Sequence, residues 1–343
     1  MAGRLNQSLM IRTLAADLGL KAGSDPVNAI SGYCHKKVRR FLSDFPACST
    51  PKDLLDCVAN KSGTEFREVH CNADLARARS EFLDKKEAGF VRIHEELNGE
   101  VLGITLKRLN AQPWELPYIS IIDCRGENRI RAYYTKWHEL VHLLVLTDQT
   151  RLVFRRTHVD GQAKSPEESL VDVIAGSFAF YPAIVREHAA GDISFEKIEA
   201  VRANVFPEAS QQSALLGIFK SWPSACILVE ARLAHKAGEG PGSQHSFSFK
   251  KYPAPELRAV HANVNDEANK MGIKVIPRFR VPKESVIYRV LNEAIPYAES
   301  SEELASWRSS AGERWVGGTV LVKAQLRGDG VQALLIPINV RKQ

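Results

Sequence analysis

Through the first hundred residues, apolar positions recur at helical rather than strand spacing. One such stretch closes at Leu42–Phe45 and is ended by Pro46. Ser49-Thr50-Pro51-Lys52-Asp53 reads as the next helix start, with Pro51 in the first turn and Asp53 placed against the positive end of the dipole. Asp74 to Ala88 carries Arg77, Arg79, Glu81, Lys85 and Glu87 and reads as a charged, solvated helix or linker. Val101–Leu106 and Tyr118–Ile122 are continuous apolar runs of strand length, the second ended by a polar loop from Asp123 to Asn128. Helical patterning returns at about Arg131–Leu146. After a polar stretch from Thr157 to Pro166 it resumes over Glu167–Phe180, where Pro182 stops it, and again over Ser194–Arg202 and Ser210–Trp222.

His235–Ser243, rich in glycine, is the clearest linker. Beyond it Leu257–Met271 reads as a helix. Strand-like runs follow at Lys274–Val281, Val286–Val290, Val316–Leu326 and Ala333–Val340, the last two joined by the turn Arg327-Gly328-Asp329-Gly330. The pattern predicts an α+β protein without internal repeats. A mostly helical domain with a small sheet spans residues 1–238, and a smaller α+β domain spans 239–343.

Composition fits that plan. A chain of 343 residues, 44% hydrophobic and 25% charged, can fill two globular cores. No apolar run approaches the roughly 20 residues of a membrane span, and no apolar stretch follows Met1–Leu5, so a cytoplasmic, membrane-free protein is expected. Cys34, Cys48, Cys57, Cys71, Cys124 and Cys226 are scattered without a paired spacing, which predicts free thiols. The net charge of +6 is mild, but residues 241–343 hold 15 Lys+Arg against 10 Asp+Glu, so +5 of it lies after the linker.

The chemistry begins at His138-Glu139-Leu140-Val141-His142. Histidines four apart leave the same helix face one turn from each other, where one Zn²⁺ can take both imidazoles. Glu139 is then placed to act as general base on water. Trp137, Leu140, Val141, Leu143, Leu144, Val145 and Leu146 make the helix apolar nearly all round. A buried helix seldom carries His, Glu and His in five positions unless they pair or bind something. A third, acidic ligand is expected from the following helix. Asp172 precedes a stripe of small residues, Ala175, Gly176 and Ala179, that would let two helices approach closely. Glu168, one turn earlier on the same face, competes with it. Zinc content of Asp172→Ala and Glu168→Ala separates the two. His158, Tyr133 and Tyr134 are further side chains able to stabilise an oxyanion, and spacing selects none of them.

From Tyr118 to Pro182 the chain resembles the ImmA/IrrE family of metallopeptidases. The likeness rests on Tyr118–Asp123, the Arg- and aromatic-rich Arg129–Tyr134, the His138–His142 helix, and Asp172–Ala179 ending near Pro182. Asp172 stands where that family usually has Glu, and Gly176 where it has Asn. The resemblance implies a zincin-like fold and cleavage of a helix-turn-helix repressor after DNA damage or another stress signal, derepressing a defence or stress operon. It also implies a GAF-like sensor after the linker. Cys124 ends the strand that, by this resemblance, borders the active site, and its thiolate could occupy the water position and hold the enzyme off.

In the C-terminal module Lys274, Arg278, Arg280, Lys283 and Arg289 are interleaved with Phe279 and Tyr288, as a single-stranded DNA sensor requires. Strand alternation, however, puts Phe279 on the face opposite Arg278 and Arg280, which leaves a solvated basic face over a core Phe. The rival to a peptidase is a zinc-containing nucleic-acid-binding regulator, whose structural zinc would need a fourth protein ligand such as Cys124.

Overall fold

The computed structural model describes residues 5–44, 48–98, 101–147, 153–157, 164–236, 254–273, 278–307 and 318–340. Over these the protein is α+β and divides into two compact units. The first is Met1–Ile184 with Arg202–Gly217. The second is Val185–Val201 with Ile218–Gln343.

The first unit opens with helices α1 (Leu9–Asp17), α2 (Pro26–Ser43) and α3 (Pro51–Lys61). The last starts as its sequence predicts: the Thr50 hydroxyl accepts from the Asp53 N–H, and the Asp53 carboxylate accepts from the Thr50 N–H. Strand β1 (Thr64–Val69), α4 (Asn72–Asp84), the single turn α5 (Ile93–Glu96), β2 (Val101–Lys107), β3 (Tyr118–Asp123), α6 (Ala132–Leu144), β4 (Val153–Thr157) and α7 (Pro166–Ala179) follow. The sheet runs β1-β3-β2-β4, with β1 parallel to β3 and the other pairs antiparallel.

All six β3 positions are buried, so this strand is covered on both faces. Ile119 and Ile121 pack with Phe82, Phe90, Ile93 and Leu106 on one side. On the other, Ile122 and Cys124 pack with Ala132 of α6. Gly103 and Thr105 of β2 and Ser120 of β3 also face α6, and this alternation decides what the site sees.

In the second unit a five-stranded antiparallel sheet has the order β6-β5-β9-β8-β7. Its strands are β5 (Ile227–Ala234), β6 (Glu256–Val264), β7 (Tyr297–Glu303), β8 (Gly318–Arg327) and β9 (Gly330–Val340). The core gathers Ile227, Val229, Phe279, Val290, Trp307 and Val322.

Three expectations need correction here. The division expected at 238 does not stand, because β5 pairs with both β6 and β9 and so belongs to the C-terminal sheet. The expected linker lies outside the described residues from Ala237 onward. Leu257–Met271 is not one helix: strand pairing to β5 overrides the helix-forming Leu, Arg and Ala as far as Val264, and only Asp266–Lys270 is helical. Val286–Val290 lies in a helix, Val286–Asn292, capped by Ser285, whose hydroxyl accepts from the Ile287 N–H. Its buried Val286, Ile287 and Val290 follow a helical spacing that their β-branched composition disguises. The hairpin at Gly328-Asp329 forms where it was expected.

Candidate metal centre

Helix α6 buries twelve of its thirteen residues, His138, Glu139 and His142 among them. It lies against α7, to which it is tied by hydrogen bonds and ring packing. The Tyr133 hydroxyl donates to the Ala179 carbonyl, the Tyr134 hydroxyl to the Asp172 carbonyl, and Trp137 stacks on Phe178 at 5.8 Å. Both tyrosines are thereby committed to backbone oxygens, and His158 lies outside the described residues. Helix α7 begins at Ser165, whose hydroxyl accepts from the Glu168 N–H, so Glu168 sits in the first turn with its side chain directed at α6.

Three side chains converge. His138 Nε2 and His142 Nε2 are 3.2 Å apart. The Glu168 carboxylate places Oε2 3.0 Å from the first and Oε1 3.2 Å from the second. Burial works against a charge on Glu168, but the two imidazoles outweigh it and hold the carboxyl well below its usual range.

Asp172 does not join this group. Its Oδ1 lies 3.0 Å from His138 Nδ1, on the far side of the ring, and its other oxygen accepts from Lys164. The expectation that Asp172 is the third ligand is therefore corrected: Glu168 faces the Nε2 atoms and Asp172 orients His138. The physical reason is reach, since the longer Glu, one turn nearer the helix start, extends past the ring edge that the short Asp meets. The small-residue stripe is not what permits the approach either. A Cβ on Gly176 would meet Tyr134 at an ordinary 3.7 Å.

The donor set fits a zinc ion. Asp172, held below its usual pKa by the His138 and Lys164 contacts against the opposing effect of burial, accepts from the His138 Nδ1–H, and the neutral ring then keeps its lone pair on Nε2. That lone pair faces a carboxylate and a second imidazole. A proton would satisfy one pair of these acceptors at a time, whereas a cation at their centre satisfies all three. Ligands held at about 2.0–2.1 Å on a tetrahedron are about 3.3 Å from one another, close to the spacings found.

Glu139 turns toward the sheet. Its Oε2 accepts from Thr105 Oγ1 at 2.7 Å, and Thr105, Ser120 and Thr64 continue as a buried chain of hydroxyls with spacings of 2.8 and 2.9 Å. Its Oε1 is buried and has no hydrogen-bond partner among the described residues. Gly103 makes room for it: a Cβ there would come 3.2 Å from Oε1 and 2.7 Å from Thr135 Cγ2. The hydroxyl chain was absent from the sequence reading, although strand alternation alone puts Ser120 on the face of Ile122, opposite Ile119 and Ile121.

Cys124 is elsewhere. Its thiol, 4% exposed, lies 3.8 Å from Glu68 Oε2 and belongs to a separate group with Glu68 and His70. Burial pushes the thiol up to about 12, so on its own it is protonated. The expected inhibitory ligand is corrected accordingly: Cys124 caps β3 beside the first turns of α6, while His138 and His142 lie further along that helix. His35, which has no ligand spacing, packs on Phe178 at 4.6 Å.

In the second unit Arg278, Arg280, Lys283 and Arg289 are exposed, and Lys274 lies outside the described residues. Phe279 is fully buried against Trp307 at 5.3 Å and offers no stacking surface, and Arg280 pairs with Glu256 at 2.9 Å. Arg289 stands on a helix, while Arg278 and Lys283 lie in turns and Arg280 in an isolated bridge to Arg258, so the expected strand does not carry them. Taken together, helix α7 and the helix Pro182–His188 that follows it across Phe180–Tyr181 are long and apolar enough to cross a bilayer, and half of their apolar window is packed inside the protein. Compared with known proteins, the chain matches no protein-family model and no curated protein.

Proposed function

We propose that this protein is a zinc-dependent endopeptidase of zincin-like fold. His138, His142 and Glu168 would hold the metal, Glu139 would act as general base, and Asp172 would position His138. The observation that carries the reading is the convergence of two imidazoles and one carboxylate in a buried setting, beside a second carboxylate with a dry, unpaired oxygen. Zinc supplies Lewis-acid polarisation of a peptide carbonyl and lowers the pKa of water toward about 7. Glu139 is anchored through Oε2 by Thr105, which leaves Oε1 as the acceptor for the proton that water loses. The same oxygen can return that proton to the departing amine.

A structural zinc site would call on a fourth protein ligand, and the group among the described residues has three donors. This supports catalysis over the regulator without activity. The resemblance to ImmA/IrrE peptidases supports a helix-turn-helix repressor as the substrate, with cleavage conditional on stress or DNA damage and a GAF-like second unit as sensor. Single-stranded DNA as the activating signal rests on the exposed basic residues, since Phe279 is buried and Tyr288 is half-buried against the core. The test is co-expression with candidate helix-turn-helix repressors, with and without DNA damage, reading fragment masses. Glu139→Gln should abolish processing while zinc content and fold are retained. Processing that persists in Glu139→Gln would remove the peptidase assignment.

A further inference from the structure

Cys124, His70 and Glu68 form a second constellation that the proposed peptidase chemistry does not use. Their donor atoms all lie within 4.8 Å of one another. The arrangement follows from the parallel pairing of β1 and β3. Glu68 is in register with Ile122, and the Cys124 N–H donates to the Val69 carbonyl, so the next positions along, His70 and Cys124, leave the same face at the carboxyl ends of both strands. Sulfur, nitrogen and oxygen are thereby presented from three backbone positions that the sheet itself holds fixed.

Two further details favour a ligand. Lys136, with its side chain only 10% exposed, holds Glu68 Oε1 at 2.7 Å. That fixes the carboxylate and leaves Oε2 facing His70 Nε2 at 3.3 Å and Cys124 Sγ at 3.8 Å. Ligands on a tetrahedral zinc, with Zn–N and Zn–O near 2.0–2.1 Å and Zn–S near 2.3 Å, stand about 3.3 Å apart for N and O and about 3.6 Å apart for S and O. The group also lines a cavity of about 670 Å³, with Arg129, Arg202 and Glu208 on its other walls, so water or another ligand can complete the coordination.

We infer that Glu68, His70 and Cys124 form a second metal site for a borderline-soft divalent cation such as Zn²⁺, separate from the His138–His142–Glu168 centre. Thiolate and imidazole select against Mg²⁺ and Ca²⁺. On binding, the Cys124 S–H proton leaves to solvent and the sulfur coordinates as thiolate, so uptake should release a proton.

Cobalt(II) is the probe, because a thiolate–cobalt bond gives a near-ultraviolet charge-transfer band that the first centre, lacking sulfur, cannot produce. Titration of the full reduced chain should give the band and two equivalents of cobalt. Cys124→Ser should lose the band and one equivalent. His142→Ala should lose the other equivalent and keep the band, so failure of the first centre and failure of this one are told apart. His70→Ala, at a side chain 57% exposed and so harmless to the fold, should weaken the cobalt that gives the band about tenfold or more. No band in the wild type overturns the proposal. So does a band lost in both Cys124→Ser and His142→Ala, which would make Cys124 a ligand of the first centre, or one that survives Cys124→Ser and falls with Cys71→Ser.

Discussion

On the proposed assignment, removing Glu168 should abolish zinc binding, and removing Asp172 should only weaken it. The two carboxylates are one helical turn apart and touch the same histidine, but on opposite ring nitrogens. Structural zinc sites with four ligands bind with about 10–16 kcal/mol, or roughly 2.5–4 kcal/mol per ligand. Glu168→Ala deletes one of three donors and leaves two imidazoles 3.2 Å apart with no carboxylate on their Nε2 side. The expected loss is on the order of 3 kcal/mol or more, above about 100-fold in affinity. Asp172→Ala deletes an orienting hydrogen bond, for which about 10–100-fold is usual. Asp172→Asn, whose amide oxygen can still accept from His138 Nδ1, should recover part of that. The assay is competition for zinc against a chromophoric chelator at fixed pH, with circular dichroism to confirm the fold. If Asp172→Ala loses as much zinc affinity as Glu168→Ala, or more, the assignment of roles is wrong.

Other outcomes follow from single contacts. Thr105→Val removes the donor to Glu139 Oε2; turnover should fall by about 100-fold if the carboxylate drifts by an ångström, with zinc content unchanged and Thr105→Ser close to wild type. Gly103→Ala forces a methyl to 2.7 Å from Thr135 Cγ2 and should destabilise by about 1–3 kcal/mol in denaturant titrations, whereas Gly32→Ala, in open space on α2, should stabilise by about 0.5–1 kcal/mol. Asp123, 2% exposed, accepts from Arg125 and Asn128, and these bonds lower its pKa against the opposing effect of burial. Asp123→Asn should cost about 2 kcal/mol at neutral pH. Because the folded pKa is depressed, that stabilisation is complete above the unfolded value of about 3.9 and disappears as pH falls through the folded one. The gap between wild type and variant must therefore close in acid; a constant gap from pH 7 to pH 2 would contradict it.

What could be read from the sequence divides by range. Histidines four apart on an apolar helix are a local fact, and so are the Thr50–Asp53 cap and the turn at Gly328-Asp329. Which of two acids on the next helix meets the imidazoles is not local. Glu168 and Asp172 share a face, and the choice depends on the axial offset between α6 and α7. Thr64–Val69 escaped because Glu65, Arg67 and Glu68 give it the look of a solvated segment, although it pairs in parallel with β3. Tyr297–Glu303 escaped for a related reason. It is an edge strand with three glutamates, and charge on an exposed edge discourages pairing with other chains. The placement of Cys124 needed the register of two strands more than fifty residues apart.

The chain passes between the two units three times, after Ile184, Val201 and Gly217, so no single cut releases either half. A protein truncated at 238 would retain Ile227–Ala234 without the neighbours on its two sides, and would uncover Ile227, Val229 and Ala231, all fully buried when the sheet is whole. Inactivity after such a deletion would report a ruined hydrophobic interior rather than a missing signal receptor. Only point changes on the outside of the second sheet can separate those two meanings.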